Sequence, residues 1–305
     1  RATLVSAETL AKKDKSPVTV ADYGAQAVVV AALLSAFPDA AVVGEEDASA
    51  LRAQSGRAVR NKVVTCVQAI DGSLSETDIL NAIDHAVDDG GPDGRFWVLD
   101  PIDGTKGFLR GGQYAVALAL VERGRVVLGV LGCPNLSLEV SRPDGPRGCL
   151  FVAVAGRGTV CRGLDNDDER PVNVSPLADA AQATFCESVE AAHSAHGNAA
   201  AIARRLAATA PPVRMDSQCK YAAVARGEAS IYLRLPTRAD YEERIWDHAA
   251  GWLVVTEAGG RVTDVRGRPL DFSAGRTLRR NKGVVATNGR LQEPVIAAVR
   301  EILGQ

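Results

Sequence analysis

A chain of 305 residues has room for about two domains of ordinary size, which excludes a small scaffold stapled by disulfides. Its hydrophobic fraction of 46% and charged fraction of 24% belong to a folded globular protein and not to a disordered one. Thirty-five Lys and Arg against 37 Asp and Glu leave a formal charge of −2. That offers no global field for a nucleic acid polymer or an anionic bilayer, so an anionic ligand has to be met locally.

The six cysteines, Cys66, Cys133, Cys149, Cys161, Cys186 and Cys219, include no C-x-x-C pair and no His at a zinc-ligand offset. They point to a reducing compartment and are expected to be small buried hydrophobes. The longest nearly apolar run, residues 27–37, is interrupted by Ser35 and is shorter than the roughly 20 residues needed to cross a bilayer. An opening at Arg1 in place of Met leads us to expect an upstream piece with room for a targeting peptide.

In chain order, Thr19 and Asp22 have capping-box spacing ahead of Ala25, Val28, Val29, Ala32 and Leu33 at helical intervals, and Phe37-Pro38 ends that helix. Residues 41–43 read as a short buried strand that runs into Gly44-Glu45-Glu46. Residues 48–94 are polar, with a helical stretch at 75–87, and read as an excursion from the core. A strand at 96–99 is expected to break at Asp100-Pro101, because proline lacks a ladder donor. Strands at 114–122 and 126–131 form a hairpin, and 150–155 and 158–162 continue a mainly antiparallel sheet. Beyond residue 172 the pattern becomes strand, helix, strand at 183–187, 198–208 and 213–216. A helix at 246–258 then stops at Gly259-Gly260 before a strand at 261–264. The boundaries drawn are residues 1–172, an α+β domain, and residues 173–305, a smaller α/β domain.

Asp100 and Asp103 flank a rigid turn at a strand end, which aims two hard oxygen donors and the carbonyl of Ile102 toward one point. Oxygen ligands of this kind suit Mg²⁺, and further carboxylates would have to arrive from elsewhere, with Asp22, Glu45 and Asp247 as candidates. Each has a plainer reading by itself. Asp22 is the third residue of a capped helix, Glu45 sits in a solvated turn, and Asp247 complements a helix dipole.

Their joint occurrence decides the matter. Gly44-Glu45-Glu46, the run 97–105 containing Asp100-Pro101-Ile102-Asp103-Gly104-Thr105, and Ile245-Trp246-Asp247-His248-Ala249-Ala250-Gly251 resemble the three motifs of the lithium-sensitive, magnesium-dependent phosphatases that include inositol monophosphatase and fructose-1,6-bisphosphatase. Within that superfamily the chain is most similar to the 3′(2′),5′-bisphosphate nucleotidases. The residues that carry this are 14–23, Lys106 to Arg110 with Gly111, Asp216-Ser217-Gln218 with Lys220-Tyr221, and Tyr232-Leu233-Arg234-Leu235-Pro236. The likeness runs from near residue 10 to near residue 288.

The resemblance implies a layered αβαβα fold of α/β type with two or three Mg²⁺ at one site. Glu45, Asp100 and the Ile102 carbonyl would hold one ion, and Asp100, Asp103 and Asp247 a second. Asp22 and Thr105 would activate the attacking water, and Thr105, His193, Ser217, Lys220, Arg234 and Asp247 would contact substrate. Taken singly, His193 reads as a structural histidine, Lys220 and Arg234 as solvated cations, and Ser217 as a turn hydroxyl. One departure stands out: fungal relatives tend to carry Lys-Gly where Ala191-Ala192 stand here.

The implied reaction is removal of the 3′-phosphate of adenosine 3′,5′-bisphosphate, giving AMP and phosphate, with 3′-phosphoadenosine 5′-phosphosulfate as a further substrate. An inositol polyphosphate 1-phosphatase or inositol monophosphatase is the alternative, and a non-catalytic nucleotide sensor the distant one. The partner is a small molecule, with no membrane and an open oligomeric state. The wording of residues 14–23 and 90–118 is similar to plant and green-alga members, which include plastid enzymes. The plastid stroma is therefore the expected compartment and the cytoplasm the alternative.

Overall fold

The computed structural model describes residues 10–11, 17–189, 196–238 and 240–304. A short antiparallel ladder of β1 (Leu10–Ala11) and β2 (Pro17–Val18) leads into α1 (Val20–Ala36). The expected capping box is present: the Thr19 hydroxyl accepts from the backbone of Ala21 and Asp22, and the Asp22 carboxylate accepts from the Thr19 N–H at 2.7 Å. Strand β3 (Ala41–Gly44) follows.

Residues 48–94 are not an excursion. They fold into α2 (Ser49–Arg52), α3 (Arg57–Ile70) and α4 (Glu76–Asp84), whose Leu51, Val59, Val63, Val67, Ile79 and Ile83 share a buried cluster with Tyr23 and Ala27 of α1. The polarity of the segment lies on the outer faces of these helices. Val59, Val63 and Val67 mark a narrow buried stripe one turn apart.

Strands β4 (Arg95–Asp103), β5 (Ala115–Glu122), β6 (Arg125–Ser137), β7 (Arg147–Val154), β8 (Gly158–Gly163) and β9 (Arg170–Val172) join β3 in a seven-stranded sheet in chain order. The β3–β4 pair is parallel and the others are antiparallel. Helix α5 (Thr105–Arg110) leaves the end of β4. The second sheet is mixed, in the order β11 (Val213–Arg214), β10 (Phe185–Glu187), β12 (Ile231–Arg234), β14 (Val284–Thr287), β13 (Arg261–Thr263). It is accompanied by α6 (His196–Arg205), α7 (Cys219–Ala225), α8 (Ala249–Glu257) and α9 (Gln292–Leu303).

The layers are read from the buried clusters. Trp97 and Leu99 of β4 pack against α1 through Val30 and Leu33, while Phe96 and Val98 face the opposite way, toward α7 and α8, as strand alternation requires. The other side of the α7–α8 layer meets the second sheet through Tyr232, Val284 and Ala286. The outer face of that sheet, Phe185, Ile231, Leu233 and Val285, is covered by Ile202 of α6 and by Val295 and Val299 of α9. This is the αβαβα sandwich expected, with α7 and α8 as the central helical layer.

Two local expectations change. Strand β4 does not break at Asp100 but continues to Asp103. Asp100 pairs with Ala117 and Asp103 with Ala115, so one extra residue is accommodated between them. This bulge absorbs the missing N–H of Pro101. The helix expected from Trp246 begins instead as a single 3₁₀ turn over Ile245–Asp247, and α8 starts at Ala249. All six cysteines are free thiols, four buried and two, Cys66 and Cys161, half-buried. Among the described residues no helix is long and apolar enough to cross a membrane.

Candidate active site

The bulge in β4 creates the site. In a regular strand, residues three apart point to opposite faces; the inserted residue lets Asp100 and Asp103 face the same way. Gly104, at φ +85°, then turns the chain into α5. A Cβ there would stand 2.9 Å from the Ser217 Cβ, so glycine is needed both for its dihedral and for the close approach. Asp247 arrives from the 3₁₀ turn ahead of α8, and oxygens of Asp100, Asp103 and Asp247 lie within 4.8 Å of one another.

These carboxylates line a cavity of about 500 Å³ together with Glu45, Ile102, Thr105, Ser217, Lys220 and Arg234. Thus most of the residues singled out in the sequence converge, although they come from the turn after β3, from β4, α5, the loop before α7, α7, β12 and the turn before α8. His193 lies outside the described residues. Asp22 stands behind the cavity wall. Its Oδ2 serves the cap, accepting from the Thr19 hydroxyl at 2.6 Å, while its Oδ1 accepts from the Thr105 hydroxyl at 3.2 Å. Asp22 therefore serves the helix cap with one oxygen and meets the Thr105 hydroxyl with the other.

Charge is concentrated here against the preference of a folded interior. Asp100 is 1% exposed. Burial above all, and then the carboxylates of Glu45, Asp103, Asp247 and Asp22, push its pKa well above the usual carboxylate range. Asp103 is pushed up to about 7 by burial and by Asp247, against the opposing pull of Lys220, the Gln218 N–H and Arg234. The Gln218 N–H donates to Asp103 Oδ2 at 2.5 Å, but among the described residues nothing donates to the buried Asp100 Oδ1. An orphaned carboxylate oxygen inside a ring of acids is what a hard cation would complete, and the all-oxygen donor set fits one.

Cationic groups border the acids. Lys220 is buried, donates to the Ser217 carbonyl at 2.8 Å and lies over the Tyr232 ring. Burial lowers its pKa, with Asp103 opposing. Arg234 is clamped between Glu243 at 2.7 Å and Asp247 at 3.2 Å. The Glu243 carboxylate also accepts from the His248 Nε2 at 3.2 Å, and the other ring nitrogen of His248 meets the Tyr221 hydroxyl at 2.7 Å. Glu243, Asp247 and His248 form a second potential ligand group, but Arg234 already serves its two carboxylates.

Ser217 takes a left-handed conformation at φ +67°, and its neighbour Asp216 is paired with Arg110 at 2.5 Å. That ion pair ties the end of α5 to the loop before α7. Gln218 staples the same loop to α8: its amide donates to the Trp246 carbonyl at 2.8 Å and accepts from the Gly251 N–H at 2.9 Å. Arg244 and Arg276, which also line the cavity, and Glu243, which holds Arg234, are not singled out by the sequence. Glu243 and Arg244 adjoin the Ile245-Trp246-Asp247 motif, which was the available signal; Arg276 has none.

Known proteins resemble the chain over almost its whole length. The chain is 50% identical over 319 residues to a 3′(2′),5′-bisphosphate nucleotidase of Emericella nidulans, covering 97% of this chain and 91% of that one. It is 46% identical over 308 residues to one of Oryza sativa, covering 96% and 86%. Among solved structures, the Thermotoga maritima IMPase superposes with a TM-score of 0.67 at 22% identity, covering 99% of this chain and 91% of that one; this likeness speaks for the fold. Residues 2–303 match the inositol monophosphatase family, to which the chain therefore belongs.

Proposed function

We propose that this chain is a 3′(2′),5′-bisphosphate nucleotidase that hydrolyses the 3′-phosphate of adenosine 3′,5′-bisphosphate to give AMP and phosphate. The observation that carries the reading is the convergence of Asp100, Asp103 and Asp247 around an unpartnered oxygen, in one cavity with Thr105, Lys220 and Arg234. The relatives that match over most of the chain bear that same activity in their names.

Asp100, Asp103 and Asp247, with Glu45 and the Ile102 carbonyl, would hold Mg²⁺. When bound, the cation supplies charge neutralisation for a phosphoryl group and lowers the pKa of water. The Thr105 hydroxyl, fixed by Asp22 and by the Ile102 carbonyl at 3.3 Å, orients the attacking water, and Asp22 is positioned to take a proton through that hydroxyl. Lys220, Arg234 and Ser217 face the cavity as contacts for the nucleotide. His193 is assigned to the same task on its motif.

The division near residue 172 has a functional counterpart. The first part supplies Asp22, Glu45, Asp100, Asp103 and Thr105, and the second supplies Ser217, Lys220, Arg234 and Asp247. The plastid stroma is the proposed compartment, on the wording of residues 14–23 and 90–118.

The test is a phosphate-release panel over adenosine 3′,5′-bisphosphate, 3′-phosphoadenosine 5′-phosphosulfate and inositol phosphates, with and without Mg²⁺. Mg²⁺-dependent release with the highest kcat/KM on the 3′,5′-bisphosphate is expected. A preference for inositol phosphates, or tight nucleotide binding without turnover, overturns the assignment.

A further inference from the structure

The cations that line the cavity include two pairs, Lys220 with Arg234 and Arg244 with Arg276, which differ in how far protein groups already answer their charge. In the first, Lys220 donates to backbone carbonyls and Arg234 is held by two carboxylates. In the second, Arg244 and Arg276 converge on one indole, with guanidinium carbons 5.7 and 5.0 Å from the centre of the Trp246 ring. All three residues line the cavity with Asp100, Asp103 and Asp247.

Arg276 donates to the carbonyls of Asp88 at 2.8 Å and Gly44 at 2.6 Å. Those contacts orient its planar fork but cancel no charge. Among the described residues neither guanidinium has a carboxylate ion-pair partner. Burial is the largest influence on Arg276 and lowers its pKa; Asp89 opposes it, Arg244 lowers it further, and Asp88 and Asp47 oppose more weakly.

The pairing is fixed by the backbone. Arg244 bridges Thr277 in antiparallel fashion, the Ile245 N–H donates to the Arg276 carbonyl at 3.1 Å, and the Leu278 N–H donates to the Glu243 carbonyl at 2.8 Å. The two segments are thereby held together at the Trp246 indole, and both arginine side chains line the cavity. Guanidinium forks suit phosphate oxygens, which they bind in bidentate fashion.

We infer that Arg244 and Arg276, seated on Trp246, form the subsite for the second, non-reacting phosphate of the substrate, the 5′-phosphate of a nucleoside 3′,5′-bisphosphate. This rests on the proposed function and assigns the selection of bisphosphate over monophosphate to a pair of residues outside the recognised motifs. The reacting phosphate lies at the acidic end of the cavity and the second one at the Arg244–Arg276 pair.

The test uses Arg244→Ala, because among the described residues that guanidinium has no hydrogen bond to lose, with Arg276→Ala as a second variant checked for unchanged melting. Turnover of adenosine 3′,5′-bisphosphate and of adenosine 3′-monophosphate is compared in Mg²⁺. The inference expects kcat/KM for the bisphosphate to fall at least tenfold, mainly through KM, and that for the monophosphate to stay within twofold. AMP binding to metal-free protein, followed by calorimetry, is expected to weaken at least tenfold in Arg244→Ala. Equal losses on the two substrates, no loss on either, or AMP binding that is absent in wild type or unchanged in the variant overturns it. Wild-type protein that fails to turn over the bisphosphate but binds AMP through Arg244 strikes the proposed function instead.

Discussion

The Thr105 hydroxyl donates to Asp22 Oδ1 at 3.2 Å while Thr19 occupies Asp22 Oδ2. A helix cap and a hydroxyl at the cavity edge are thus held by the two oxygens of one buried carboxylate. Its rotamer is fixed by the cap, so the oxygen offered to Thr105 is preorganised at no further entropic cost.

Thr105→Ala is therefore expected to lower kcat by roughly 10²-fold or more, the range for removing a group that orients or relays a proton. Thr105→Ser should keep most of the activity, because it retains the hydroxyl. Both should melt close to wild type, since the cap at Thr19 and Asp22 is untouched. Steady-state kinetics with saturating Mg²⁺ checks this; a fully active Thr105→Ala would remove the hydroxyl from the chemistry.

The acidic ring makes cation binding depend on pH in a defined direction. Asp103 is pushed up to about 7, and Asp100 is raised as well, so the metal-free folded protein holds protons that the unfolded chain releases near the ordinary carboxylate value. Between those limits the folded state binds more protons, and these groups subtract from stability as pH rises. A cation that needs them ionised competes with those protons at low pH. The rise in melting temperature caused by Mg²⁺ should accordingly be small near pH 5.5 and grow through pH 7 to pH 8. Thermal melts at matched ionic strength measure it, and a shift independent of pH would show that other groups hold the ion.

Gly251 closes the Ile245-to-Gly251 motif for a packing reason. A Cβ at that position would stand 2.3 Å from the ring of Tyr221, which is 1% exposed and whose hydroxyl is bonded to His248. The ring has nowhere to move. Gly251→Ala is expected to destabilise the fold by about 1–3 kcal/mol, the usual range for overpacking a core, seen as a lower urea midpoint. An unchanged midpoint would mean that α7 and α8 are less closely apposed.

Much of the site was legible because its residues sit in words with two uses. The Thr19–Asp22 spacing announced a capped helix, and Asp100-Pro101-Ile102-Asp103-Gly104 announced an irregular strand end; both features are present. The strand end turned out to be a bulge, because period-two reasoning treats proline as a terminator when a bulge can absorb it. In residues 48–94 the helical stretch at 75–87 is present as α4, whereas α3 escapes the pattern because its buried stripe is only one residue wide per turn at Val59, Val63 and Val67. Arg276 was beyond reach for another reason. Its place over Trp246 depends on backbone pairing between segments far apart in the chain, which no local pattern encodes.

Asp103→Asn separates the metal site from the fold most sharply. The Gln218 N–H can still donate to an amide oxygen at that position, so the loop before α7 keeps its tether. The charge that burial and Asp247 disfavour is gone. At pH 8, where wild-type Asp103 is ionised in the metal-free state, the variant should be more stable than metal-free wild type, on the order of 2–4 kcal/mol. Yet it should bind Mg²⁺ poorly and release little phosphate, because an amide supplies no negative charge to the cation. The two effects have opposite signs in one protein, so a variant that is simply misfolded cannot produce both. Denaturant melts in chelator, paired with phosphate release in Mg²⁺, decide it: a variant that is less stable and inactive would make Asp103 a structural residue, and one that is active would place the cation elsewhere.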